Sequence, residues 1–98
     1  MHSLKVTAKA DSDFVDAWLY TAATWGVDQA DKYLDQLEMG LSHLLDNPLL
    51  GVDYSHILAG YRKLRIKHHD IFYRVDAAGI LVVRVLHEDM DAPQRLMD

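Results

Sequence analysis

The chain has 98 residues, 50% hydrophobic and 26% charged, with no cysteine and a net charge of −5. That length fits one domain spanning 1–98 and leaves no room for two cores, while the missing cysteine excludes a disulfide framework, a thiolate nucleophile and a Cys-based zinc site. The net acidity argues against a protein that coats nucleic acid through bulk positive charge.

The charge is unevenly spread. Residues 1–50 carry eight acids and three bases, whereas Tyr61 to Arg84 carries Arg62, Lys63, Arg65, Lys67, Arg74 and Arg84 against Asp70 and Asp76. An acidic front half is joined to a locally basic back half. Met1 to Lys5 lacks the basic start and apolar stretch of a signal peptide, and runs such as Ile80–Val83 are far too short to span a bilayer. A cytosolic location is expected.

Leu4 and Val6 alternate with Ser3, Lys5 and Thr7, which predicts a short strand over 3–9. Asp11, Ser12 and Asp13 then offer N-cap candidates and first-turn negative charge for a helix. Phe14, Trp18, Ala22 and Trp25 recur on one face of it, and Gly26 is its expected stop. Asp28 is the expected cap of a second helix, whose apolar positions are Ala30, Tyr33, Leu34, Leu37, Leu41, Leu44 and Leu45. Asn47-Pro48 ends that helix, because proline crowds the preceding residue out of helical geometry. The short connection makes the two helices an antiparallel hairpin, with Phe14, Trp18, Leu37, Leu41 and Leu44 expected against a sheet.

A loop is expected from Leu49 to Gly60. Beyond it the period changes to two, predicting strands over Tyr61–Lys67, His69–Asp76 and Ile80–His87. Asp76-Ala77-Ala78-Gly79 joins the last two as a hairpin loop. Met90 to Asp98 reads as a short helix or ordered tail, with Asp91 as cap and Pro93 in its first turn. The order β-α-α-β-β-β predicts an α+β domain with a helical hairpin on one face of a largely antiparallel sheet.

Two sets of residues are candidates for chemistry. Lys63, Arg65 and Lys67 would project from one strand face, either to meet phosphates and carboxylates or as a solvated face that discourages edge aggregation. His87, with Arg84 three residues earlier, could move protons and stabilise phosphorane charge, yet the two point to opposite faces of a regular strand. The six histidines are scattered, and adjacent His68 and His69 would face opposite ways in a strand. No metal site, cofactor loop or nucleophile elbow is expected.

Several stretches together resemble one family. These are Trp25-Gly26-Val27-Asp28-Gln29-Ala30 with Tyr33-Leu34, then Asn47-Pro48 with Gly51, then Gly60-Tyr61-Arg62. His69-Asp70-Ile71-Phe72-Tyr73-Arg74-Val75 and Val83-Arg84-Val85-Leu86-His87 with Met90-Asp91 complete the set. In order and spacing this resembles the ParE branch of the ParE/RelE toxins over nearly the whole chain. The resemblance implies a ParE/RelE-like fold and a partner, a cognate antitoxin of ParD-like or other class that wraps the toxin in a hetero-oligomer. In such pairs the antitoxin supplies the DNA-binding part, so no direct, specific nucleic-acid contact is expected of this chain.

ParE-like members poison DNA gyrase by trapping it in a cleaved-DNA state, without catalysis of their own. RelE-like members cut messenger RNA in the ribosome with basic residues and a tyrosine or histidine. Arg65, Arg84 and His87 keep the second reading open, but Glu88 stands after His87 where a tyrosine would be needed, and a carboxylate repels RNA phosphates. A third reading is an inert toxin that only binds its antitoxin. Gyrase poisoning is the expectation, with Arg84, His87, Met90 and Asp91 as the toxic surface.

Overall fold

Thr7, upstream of Asp11, Ser12 and Asp13, starts the first helix. In the computed structural model, which describes residues 3–97, its hydroxyl accepts the Ala10 N–H at 3.1 Å. Strand β1 (Ser3–Val6) therefore ends earlier than its alternation suggested, and helix α1 runs Ala8–Trp25. Asp11 keeps the first-turn role that suits a helix dipole, but Asp13 turns inward. His2 and Asp98, both read in the sequence, lie outside the described residues.

Gly26 is the single residue between α1 and α2 (Val27–Asp46). It closes one helix and caps the next at φ 94°, a conformation that glycine adopts cheaply, so Asp28 is not the cap. Inward positions of α2 are Ala30, Tyr33, Leu37, Gly40 and Leu44, spaced by three and four as a buried helical stripe requires. The inward stripe of α1 is Ala10, Asp13, Ala17 and Thr21. It is small and partly polar, and lets the helix approach the sheet closely.

The aromatic face expected on α1 is thus rotated outward. Phe14 and Trp18 are half-buried, and Trp25 is 71% exposed. Trp18 spends its indole N–H on Asp31 of α2 at 2.9 Å. Leu41 is likewise half-buried at the edge of the core, and Leu45 is exposed. Leu37 and Leu44 are fully buried, so Leu37→Ala should cost about 2–5 kcal/mol in a urea titration and Leu41→Ala clearly less. Equal losses would show that the hairpin is rotated from this placement.

Within the stretch expected to be loop lies a two-residue strand, β2 (Val52–Asp53). Strands β3 (Tyr61–Ile66), β4 (His69–Asp76) and β5 (Gly79–His87) follow, then helix α3 (Ala92–Leu96). Asp91 caps α3 through its carboxylate and the Gln94 N–H, as the sequence suggested. The sheet order is β1-β5-β4-β3-β2, antiparallel except for β1 beside β5. Ile71, Tyr73, Val82 and Val85 meet Ala10 and Leu44 in the main core under the hairpin. Phe72 and Leu86 face the other way and form a second small core with Tyr54, against which Ala92 and Leu96 of α3 pack.

Beta-5 carries an extra residue, because Phe72 pairs with Arg84 while Tyr73 pairs with Val82. A bulge frees backbone groups that must find other partners. The start of α1 supplies them. The Thr7 hydroxyl donates to the Val83 carbonyl at 2.7 Å, and Asp13 accepts the buried Val85 N–H at 2.9 Å.

Three of the family-like stretches converge on one lock. The Tyr73 hydroxyl donates to the Pro48 carbonyl and accepts the buried Gly51 N–H, both at 2.8 Å. Arg62 donates to the carbonyls of Gly51 (3.0 Å) and Leu49 (3.3 Å). A Cβ on Gly51 would stand 2.9 Å from the Lys63 carbonyl oxygen and closer still to the Tyr73 ring, so only glycine fits. Tyr73→Phe should destabilise by about 1–3 kcal/mol, because a buried N–H loses its acceptor. An unchanged urea midpoint would deny the lock that role.

Candidate functional site at the end of the sheet

Arg84 and Asp13 face each other across the α1–β5 junction. The guanidinium donates twice to the carboxylate, Nε at 2.8 Å and a terminal nitrogen at 3.0 Å, and once to the Arg95 carbonyl at 3.1 Å. Their side chains are 13% and 10% exposed. A bidentate, charge-assisted pair at that depth is a structural tie joining α1, β5 and α3. It leaves Arg84 little surface to offer a target.

Arg65 is engaged as well. Its guanidinium bridges both oxygens of buried Asp70 on the neighbouring strand and reaches Glu88 at 3.4 Å. Lys63 lies over the Tyr54 ring, 5.4 Å from its centroid. Lys67 does not continue that strand face. It sits in the β3–β4 turn at φ 55°, where the two-residue hairpin demands a left-handed residue. The basic strand face therefore shrinks to Lys63 and a carboxylate-paired Arg65.

Histidines converge where the strands end. His68 lies in the turn and His69 opens β4, yet both rings approach His87 at the end of β5, at 6.3 and 5.2 Å between centroids. His87 also faces Tyr20 of α1 at 6.2 Å and accepts the Asp89 N–H. Glu88 lies against His68 at 3.3 Å. The His69 ring binds the Tyr33 hydroxyl through Nδ1 at 2.5 Å. Burial, reinforced by His87 and then His68, lowers the His69 pKa from 6.5 to about 4, so its ring is neutral at physiological pH. Burial raises the Tyr33 phenol.

Two clefts flank these rings. One, of about 450 Å³, lies between the hairpin tip (Tyr20, Trp25, Gln29) and the turn residues Lys67 and His68, with His69 at its floor. The other, of about 380 Å³, is lined by Asp16, Tyr20, His69, His87 and Met90 among others. Of the four residues expected to form the toxic surface, His87 and Met90 share this second cleft. Asp91 is turned to cap α3, and Arg84 is tied to Asp13. Sequence reasoning missed Tyr33, His69 and Tyr20. Tyr33 fell on the apolar stripe of α2, and nothing in the linear order linked it to His69. A separate apolar groove of about 740 Å³ runs beside α1 and α2, lined by Phe14, Val15, Trp18, Leu34 and Leu41.

Among the described residues no helix is long and apolar enough to cross a membrane, and no cluster of three or more His, Asp or Glu is arranged to hold a metal ion.

The family described as "ParE toxin of type II toxin-antitoxin system, parDE" matches residues 4–92. "Toxin ParE1" of Mycobacterium tuberculosis is 41% identical over 88 residues, covering 89% of this chain and 90% of its own. "Toxin ParE1" of Caulobacter vibrioides is 32% identical, covering 98% and 99%, and "Toxin ParE" of Escherichia coli is 35% identical, covering 95% and 91%. Among solved structures, one titled "Chromosomal ParDE TA system from P. aeruginosa" superposes with a TM-score of 0.79 at 22% identity, covering 89% of this chain and 96% of that one. Another, "YoeB-YefM complex from Staphylococcus aureus", gives 0.57 at 18%, with coverage of 89% and 97%. These two likenesses bear on the fold.

Proposed function

Because the chain belongs to the ParE toxin family of type II toxin–antitoxin systems, we propose that it poisons DNA gyrase by holding the enzyme on cleaved DNA, and that a cognate antitoxin neutralises it. The observation that carries this over RNA cleavage is the engagement of its arginines. Arg84 is tied to Asp13, and Arg65 to Asp70 and Glu88. A phosphoryl-transfer site needs cations free to meet the charge that develops on phosphate, and here the two candidate arginines are held by carboxylates of the fold. Glu88 adds a negative charge beside His87, where a stacking tyrosine would serve RNA better. Toxicity by this route requires no catalytic group.

The antitoxin reading draws support from the solved relative described as a ParDE TA system, from the second, which is a complex of two proteins, and from the apolar groove beside α1 and α2. The target surface is proposed to centre on His87 and Met90, with Asp91 and Arg84 beneath it, and the location of action to be cytoplasmic. Added to gyrase, ATP and relaxed plasmid, the chain should suppress supercoiling and accumulate cleaved DNA, and stoichiometric antitoxin should reverse both. Ribosome-bound messenger in a parallel reaction should stay intact. Cleaved messenger with untouched gyrase would replace this function with the ribonuclease reading. Normal growth on expression, with the antitoxin still bound, would mark an inert toxin.

A further inference from the structure

The 450 Å³ cleft contains a polar atom whose chemistry the fold leaves unused. His69 is 6% exposed and lines both this cleft and the neighbouring 380 Å³ one. The Tyr33 oxygen accepts the His68 N–H at 3.3 Å, and its own proton has no acceptor among the described residues other than His69 Nδ1, so the phenol donates to that nitrogen. That assignment leaves the imidazole proton on Nε2. No partner within the described residues takes it, yet it is not sealed from solvent. A neutral imidazole held rigidly by a tyrosine and offering an N–H into a cleft is a ready donor to an oxyanion or a carbonyl.

The walls narrow the choice of ligand. Tyr20 and Trp25 line the cleft while 62% and 71% exposed. Tyr20 tilts one ring contact toward His87, Trp25 has no ring partner among the described residues, and an exposed aromatic at the lip of a cleft is a stacking platform. Gln29 contributes an amide able to donate and accept. Lys67 brings the positive charge, from a turn position that lysine adopts at a cost glycine would avoid. The volume lies in the range of sites for small, mostly aromatic ligands with a few polar contacts.

We propose that this cleft binds a nucleotide, with the base against Tyr20 and Trp25 and the phosphate against Lys67 and the His69 N–H. The inference goes beyond gyrase poisoning and does not depend on it. The ligand chemistry is common to a free mononucleotide and to one unit of a single strand. An acidic peptide would use Lys67 and His69 but leave the two aromatic faces without a function. Glu88 and Asp89 nearby, and the net charge of −5, weigh against a long polyanion.

The test is to titrate the folded chain, followed by ¹H–¹⁵N spectra at the Trp25 indole and the His69 backbone. The probes are adenosine 5′-monophosphate, adenosine, inorganic phosphate, pentadeoxyadenylate and a pentaglutamate peptide. Adenosine monophosphate should give saturable shifts at both positions, and adenosine and phosphate much weaker ones. A tighter response to pentadeoxyadenylate would name the single strand as the source, and a weaker one the free nucleotide. Trp25→Ala removes an exposed side chain and Lys67→Gly suits the turn, so both variants should keep the fold by circular dichroism. Each should weaken nucleotide binding by about tenfold or more, the loss expected for one stacking platform or one charge contact. No saturable shift in the folded chain, equal binding of phosphate and nucleotide, affinity unchanged in both variants, or capture of pentaglutamate in place of nucleotide would each overturn the proposal.

Discussion

Arg84→Ala should lower the free energy of unfolding by about 3–5 kcal/mol, because it leaves the Asp13 carboxylate buried without its cation. The whole stability of a domain this size is about 5–15 kcal/mol, so the variant would sit near the edge of folding. Asp13→Ala should do comparable harm for a second reason, since the Val85 N–H at the bulge loses its acceptor. A double-mutant cycle separates the pair from its surroundings. The combined variant Asp13→Ala with Arg84→Ala should be less damaged than the sum of the single changes by about 1–3 kcal/mol. Strict additivity in urea titrations would show that the two charges are not coupled. Loss of toxicity in Arg84→Ala should accordingly track loss of folded protein. A folded Arg84→Ala variant that no longer touches gyrase would return Arg84 to the target surface.

Acid should weaken the fold through His69 before most carboxylates titrate. The ring is neutral in the folded state, with its pKa lowered from 6.5 to about 4 by burial, His87 and His68, and only partly offset by Asp70 and Asp13. Between those two values the unfolded chain binds a proton that the folded chain refuses, so stability falls as pH falls. The contribution is complete above pH 6.5 and lost by about pH 4, amounting to about 3 kcal/mol. Tyr33 bears on the same balance, since its hydroxyl is bonded to the neutral ring. His69→Gln keeps a hydrogen-bonding group without the titration, so its stability between pH 7 and 4.5 should be much flatter than that of the parent chain. Parallel pH profiles would mean that His69 accepts a proton without loss of the fold.

Both effects belong to residues on stretches that look like the family, and both are structural. Tyr73 and Arg62 hold the turn that follows α2, and Arg84 joins three elements. The residues that make the family legible in this sequence are largely those that make its fold. Other residues of the same stretches, such as Trp25 and Met90, remain exposed and free of any such structural tie.

Hydrophobic period by itself determined both helices, the three long strands and their order. Local packing on one stripe, or on both faces of a strand such as His69–Asp76, forces a pattern that can be read without coordinates. Asn47-Pro48, Gly26 and Asp91 marked their boundaries because backbone chemistry at those points is local. Only the tertiary structure decided the rest. Beta-2 pairs through two residues, too few to show a period, and β1 lies parallel to β5 through hydrogen bonds that no neighbouring residue specifies. Asp13 reads equally well as a cap or a surface charge until Arg84, 71 residues away in sequence, is brought against it. Tyr33 looks like one more core position, and His69 like a strand histidine, until the hairpin lowers one onto the other. Short-range patterns record what a residue's own element buries. Pairings across the fold depend on which elements meet, and that is set by the packing of the whole chain.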